Sequence, residues 1–197
     1  ILIIVGFFVL GTICGVCHLL PFDIAETNIS YYALCALMFS VGLSVGNDPQ
    51  TLKNFRSLNP RLVFLPIMTI LGTLAGSAAV SLILTHRSIT DCLAVGSGFG
   101  YYSLSSIFIT EYKGAELGTI ALLANISREI LTLLAAPLLV RWFGNLAPIS
   151  AGGATTMDTT LPIITRTAGQ QFVVVSIFHG FVVDFSVPFL VTLFCSI

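Results

Sequence analysis

The stretch Gly96-Ser97-Gly98-Phe99-Gly100-Tyr101-Tyr102-Ser103 decides how this chain folds. It lies inside residues 92–110, a run long enough to cross a bilayer. Three glycines in five residues cannot hold a firm helix, because each costs about 1 kcal/mol relative to Ala. The stretch therefore reads as a broken or unwound helix. Irregular backbone at membrane depth persists only where protein or a water-filled cavity satisfies its N–H and C=O groups. A break of this kind is a place where a site can be built.

The rest of the composition fits a membrane setting. Of 197 residues, 56% are hydrophobic and 9% charged, and the mean hydropathy is +1.00. A soluble domain carries roughly 25% charged residues. Here 8 basic and 9 acidic side chains cannot cover a water-soluble fold of this size. The net charge of −1 offers no basic field for nucleic acid. A soluble enzyme, a nucleic-acid binder and a disordered linker are thus excluded. The five cysteines lie almost wholly in apolar segments, so no disulfide framework is expected. No metal cluster is visible and no cofactor is implied.

At about 1.5 Å per residue, about 20 apolar residues cross the hydrocarbon layer. Residues 1–20, 30–46, 62–85, 117–140 and 172–195 meet that test, in addition to the broken run. Residues 146–169 are too polar to span unaided. Their core, Gly152-Gly153-Ala154-Thr155-Thr156-Met157-Asp158-Thr159-Thr160-Leu161-Pro162, suggests a re-entrant or half-helix segment. The expected architecture is an all-α polytopic membrane protein with about five to six transmembrane helices and two breaks. It forms one domain over 1–197, in which 1–85 supply three packing helices and 91–197 the site region, broken near 96–106 and 152–162.

The pairs Gly11/Gly15, Gly42/Gly46 and Gly72/Gly76 put small residues four apart in each of the first three spans, which suits close helix packing. Residues 1–20 lack the basic start and the cleavage site of a signal peptide. The basic loop 53–61 is expected on the cytoplasmic side and the acidic loop around Asp23 and Glu26 opposite. Arg141-Trp142-Phe143 reads as an interfacial anchor. No internal repeat is found.

Costly residues mark the candidate site. A charge at the bilayer centre costs at least ~2.5–3.5 kcal/mol, so Arg128 and Glu129 in mid-span need partners and a role. Asn125 shares a face with Glu129, four residues on. The alternative for Arg128 is a structural ion pair with an acid of another helix. Asp158 sits between threonine pairs in the second break, where half-helix ends form ion and substrate sites; otherwise it caps a helix. Thr156 and Thr159 could line the same cavity or merely hydrogen-bond their own backbone.

Ser97, Tyr101, Tyr102 and Ser103 offer hydroxyls at the first break, unless that break is only a packing kink. His179 could relay protons or simply pack. Asp184 is either a second relay acid or the partner of a base. Ser97 with His179 would be a hydrolase dyad, but Ser97 lacks the nucleophile-elbow context, so no enzyme is expected. Cys14-Gly15-Val16-Cys17-His18 matches a haem-attachment pattern inside an apolar span, where no haem pocket can form. Asn28 and Asn125 begin formal glycosylation sequons that are read as chance.

Several blocks together resemble the LysO-type lysine exporter family of bacterial inner membranes. They are residues 94–105, Thr110-Glu111, Asn125 with Arg128-Glu129, Gly153 to Pro162, Arg166-Thr167, His179-Gly180-Phe181 and Val187-Pro188. They run in order over roughly half the chain, which is more specific than any single motif. The resemblance implies export of L-lysine, with lysine analogues as further candidates, in exchange for protons through crossed, broken helices. It also implies that Glu129 and Asp158 are the key intramembrane acids.

Single-chain members of that family look longer, with about three more spans ahead of this part. A small membrane subunit or a second copy of the chain is therefore expected as partner. Two other readings stay open. One is a transporter of the same architecture for another amino acid or a small anion, with Arg128 and Arg166 holding a carboxylate. The other is a non-transporting membrane subunit.

Overall fold

A computed structural model describes residues 60–84 and 86–197, together with Cys14, Tyr32 and Phe39. The expectations for the first two spans, their glycine pairs, the Cys-x-x-Cys-His pattern and the loops that set topology lie outside the described residues. The chain divides into two units, 1–45 and 46–197. The second unit holds both sequence breaks.

Within it, a 3-10 turn over Pro60–Phe64 leads into α1 (Leu65–Ser81). Then come α2 (Ile89–Gly96), α3 (Tyr102–Lys113), α4 (Ala115–Phe143), α5 (Ala147–Gly152), α6 (Leu161–Ala168) and α7 (Val173–Ser196). Short 3-10 turns cover Gly153–Met157 and Gln170–Phe172. Among the described residues there is no strand. Among the described residues, three segments are long and apolar enough to cross a membrane: Leu62–Ser81, Ala115–Phe143 and Gln170–Ser196. They contain α1, α4 and α7. The chain is an all-α membrane protein.

The first broken segment folds back on itself. Lys113 at the end of α3 reaches Asp91 in the first turn of α2, with Nζ 3.7 Å from Oδ1. Arg87, just before α2, pairs with Glu116 in the first turn of α4. A straight helix over the same residues would hold its ends roughly 35 Å apart. So α2 and α3 form a re-entrant hairpin rather than an unwound spanning helix. Ser88 opens it, its hydroxyl accepting the Asp91 N–H at 3.1 Å.

The second hairpin enters from the other end. Ile149 of α5, Ile164 and Ala168 of α6, and Val175 of α7 form a buried cluster. Leu62, Leu65, Val140 and Phe172 pack on it, which are the start of α1, the end of α4 and the approach to α7. The order of span then hairpin therefore occurs twice in opposite senses: α1 with α2/α3, then α4 with α5/α6. No sequence repeat announces this, because the two hairpins share only a pattern of glycines and short helices.

The hairpin tips meet in the interior. The Ala154 N–H donates to the carbonyl of Phe99 at 2.9 Å. Gly153 has φ +64 and ψ −126, a conformation that essentially only glycine adopts. A Cβ at Gly153 would run into the Phe99 carbonyl. Helix α7 is stitched to the second tip: the Ser176 hydroxyl donates to the Thr156 carbonyl at 3.0 Å, and the Thr156 hydroxyl lies 3.0 Å from the Ser176 carbonyl. Gly180 permits this approach, since a Cβ there would sit 2.6 Å from the Met157 nitrogen.

Gly153→Ala should therefore separate the two tips and abolish recovery of folded protein from detergent, read by size-exclusion chromatography. Gly114 has φ +92 but open space around it. Gly114→Ala should cost only the backbone strain of about 1–3 kcal/mol and remain monodisperse, with a lowered melting temperature.

Candidate functional site

The two tips are held by two side chains of α4 that lie three residues apart. Asn125 serves the first. Its Oδ1 accepts from the Gly100 N–H at 2.8 Å, and its Nδ2 donates to the carbonyls of Ala121 at 2.9 Å and Val95 at 3.2 Å. The amide thus replaces the helical bonds that the glycine break removes. Gly98 lets it in, because a Cβ there would lie 2.7 Å from Asn125 Oδ1.

Arg128 serves the second tip. Its Nε donates to the Ala151 carbonyl at 2.8 Å and its Nη2 to the Ser150 carbonyl at 3.1 Å. Both carbonyls belong to the last turn of α5, where a cation complements the partial negative charge of the helix end. Nη1 lies 3.3 Å from Thr73 Oγ1 on α1, and the guanidinium carbon sits 5.9 Å from the centroid of the Phe99 ring on the first tip. One side chain therefore touches α1 and both hairpins. Among the described residues Arg128 has no acidic partner, so the ion pair considered from sequence does not form there.

His179 is fully buried on α7. Its Nε2 is 2.9 Å from Thr69 Oγ1 on α1, and its Nδ1 is 3.2 Å from Thr156 Oγ1 on the second tip. The imidazole bridges a span and a hairpin. Ser97 is also fully buried and donates to the Leu93 carbonyl at 2.7 Å. Ser97 and His179 thus have different partners and do not hydrogen-bond each other.

No acid takes part in these bonds. Asp158 is exposed at the end of the Gly153–Met157 turn, and its Oδ1 accepts from the Thr159 N–H. Asp184 lies on α7, 4% exposed, with no hydrogen bond or opposite charge among the described residues. The Asp158 carboxylate acts electrostatically on Asp184, and both act on the Tyr101 hydroxyl. Pro188 has no N–H to give to the carbonyl of Asp184 four residues earlier, so this turn of α7 has a main-chain acceptor to spare as well.

Tyr101 is half-buried at the first tip, Tyr102 and Ser103 are exposed beside it, and Thr159 is exposed next to Asp158. Tyr101, Asp158 and Asp184 lie within electrostatic reach of one another. Glu129 stands apart: it is half-buried on α4, with no hydrogen bond or ion pair among the described residues.

Residues that sequence reading passed over complete the site. Thr69 and Thr73, four apart on α1, meet His179 and Arg128 respectively. Ser176 ties α7 to the second tip, Pro188 frees the Asp184 carbonyl, and Phe99 offers its ring to Arg128. The available signal was a pair of hydroxyls one turn apart within an apolar span. A cavity of about 770 Å³ also opens between α1, α2 and α4. Its lining includes Thr73, Gly76, Val95, Gly96, Asn125 and Arg128. It is predominantly apolar, and neither Asp158 nor Asp184 borders it.

Arg128→Lys should lower the melting temperature in detergent even though charge is kept, because an ammonium cannot reproduce the guanidinium fork toward two carbonyls. The loss should correspond to roughly 1–3 kcal/mol. Asn125→Asp, which turns donors into acceptors against the Ala121 and Val95 carbonyls, should be at least as damaging. Unchanged melting in both variants would remove the clamp assignment.

Comparison with known proteins adds the family. A family model described as lysine exporter LysO matches residues 5–195. The chain is 36% identical over 191 residues to the lysine exporter LysO of Escherichia coli (strain K12), covering 97% of this chain and 62% of that protein. It is also 36% identical over 165 residues to a candidate lysine exporter of Haemophilus influenzae, covering 84% of this chain and 83% of that protein. The chain thus spans less than two thirds of the length of the Escherichia coli relative. No solved structure matches it. A model match over nearly every residue, with both opposed hairpins lying inside the matched range, identifies the chain as a member of the lysine exporter LysO family.

Proposed function

We propose that this chain carries the transport centre of a secondary transporter that exports L-lysine across the bacterial inner membrane in exchange for protons. The observation that carries this reading is Asp184: a carboxyl group 4% exposed on α7, within electrostatic reach of Asp158 and with no hydrogen bond or countercharge among the described residues. A buried unpaired charge is expensive, and such a group either holds a proton or awaits a cation. Lysine brings ammonium groups, and its relatives' names supply the substrate.

In this reading a lysine ammonium displaces a proton from the Asp158–Asp184 pair on the cytoplasmic side. Protonation from the outside then releases the amino acid there. The two hairpins suit alternating access, because each closes the centre from one end and each hangs on its own α4 side chain. Glu129, the other intramembrane acid of α4, is proposed as a further proton-carrying position.

The test is counterflow of labelled lysine in proteoliposomes, with and without an imposed pH gradient. Asp184→Asn and Asp158→Asn should each reduce pH-driven exchange by about tenfold or more, the scale of one lost charged hydrogen bond. Both proteins should keep the melting temperature and monodispersity of the parent. Full transport by both variants would refute the assignment.

A further inference from the structure

Phe99, in the turn between α2 and α3, stands in a conformation that its side chain disfavours. Its φ is +46, the one positive φ of a residue other than glycine among the described residues. In this left-handed region Cβ crowds the carbonyl oxygen, and a bulky side chain there is an outlier. Gly98 and Gly100 on either side could take such a backbone freely, yet the ring sits between them.

The contacts that hold Phe99 in place come largely from the opposite hairpin. Its carbonyl accepts the Ala154 N–H at 2.9 Å, its ring centroid lies 5.9 Å from the Arg128 guanidinium carbon, and the residue is fully buried. Arg128 in turn is bonded to Ser150 and Ala151 of the second hairpin. The next residue is pressed the same way. A Cβ on Gly100 would lie 3.2 Å from the Gly152 carbonyl oxygen and 3.4 Å from Thr155 Cγ2. Within its own hairpin, the Phe99 N–H makes a turn bond to the Gly96 carbonyl at 3.1 Å. A disfavoured backbone persists only where its surroundings over-determine it. Here the second tip supplies much of that surrounding.

We propose that Phe99 is a strained latch between the two hairpins. While the tips are joined, the Ala154 bond and the Arg128 contact hold its backbone left-handed. When they part, φ returns to the negative range and the strain is released. The strain opposes the bond that closes the junction, so the tips stay joined without being locked. Phe99 is thus a positioning residue that sets how readily the hairpins separate. Its part in turnover rests on the proposed transport function, whereas the latch itself rests on the backbone geometry.

The test compares two variants that lose the ring alike and differ at Cβ. Phe99→Ala keeps the left-handed strain and Phe99→Gly removes it. Amide hydrogen exchange at Ala154, measured on the full chain in detergent, reads the parting of the tips. It should be about fivefold slower in Phe99→Gly than in Phe99→Ala, and Phe99→Gly should melt at the higher temperature. Counterflow of labelled lysine in proteoliposomes should run against the order of stability, about fivefold slower in Phe99→Gly. A merely structural role would make the more stable variant the better transporter.

If loss of the ring prevents folding, Phe99→Leu and Phe99→Ile decide. The two side chains are isomers, and the β-branched one is the more crowded in a left-handed backbone. Ala154 exchange should then be about twofold or more faster in Phe99→Ile. Equal or reversed Ala154 exchange within the pair that folds would overturn the latch and leave the transport reading standing. The expected amide exchange with equal or reversed counterflow would overturn its part in turnover. Absence of lysine exchange in the parent protein would overturn the transport reading, and the amide exchange would still decide the latch.

Discussion

The backbone at the tips of two re-entrant hairpins has to find hydrogen-bond partners without bulk water, and this requirement organises the centre of the molecule. Each unsatisfied peptide group at membrane depth costs several kcal/mol, so a broken helix is viable only with dedicated partners. The tips satisfy one another through the Ala154 N–H and the Phe99 carbonyl. What remains falls to α4. Asn125 is well suited to the first tip because an amide both donates and accepts. Arg128 suits the second because its fork of donors meets two carbonyls at a helix end. Three positions apart, both project from one side of the same helix.

This arrangement separates holding from binding. Residues whose side chains are tied by hydrogen bonds to the tips lie between the tips and the spans: Asn125, Arg128, His179 and Thr156. Asp184 has no partner at all among the described residues, and Asp158 has only the neighbouring Thr159 N–H. A group that must exchange ligands has to be left under-satisfied, and that is tolerable only where the neighbouring structure is over-determined. The clamps are thus a condition for the acids proposed to exchange ligands.

Much of the architecture was legible in the chain itself. Glycines at 96, 98 and 100 and the polar run 152–162 marked both breaks, since glycine and threonine are poor material for a lipid-facing helix. Burial cost drew attention to Arg128, Glu129, Asp158 and Asp184. The fold-back of the first hairpin was not legible, because 92–110 is also long enough to span. The pairings of Lys113 with Asp91 and of Glu116 with Arg87 decide between the two. Nor could sequence apportion roles between Asn125, Arg128 and Glu129. Residues three or four apart share a helix side, but which neighbour occupies that side depends on the packing of α1 and both hairpins. Thr69 and Thr73 were passed over for the same reason: a threonine in an apolar span has an adequate partner in its own backbone.

The inverted order of span and hairpin gives these placements a mechanical meaning. Each hairpin is anchored at its own end of the bundle, α2/α3 by the ion pairs of Asp91 and Arg87 and α5/α6 by the cluster around Ile149 and Ile164. A charged pair and an apolar cluster differ in character, and so do the two clamps, an amide and a guanidinium. Either tip can in principle be released while the other stays held, since no clamp side chain is the sole support of both. Arg128 comes nearest to being shared, as it holds α5 by hydrogen bonds and touches the first tip only through the face of Phe99. A contact of that kind is worth about 0.5–2 kcal/mol and depends weakly on register, which suits an element that must part and rejoin. Besides that contact the hairpins are joined by the Ala154 N–H bond to the Phe99 carbonyl, whereas each clamp makes two hydrogen bonds to its own hairpin.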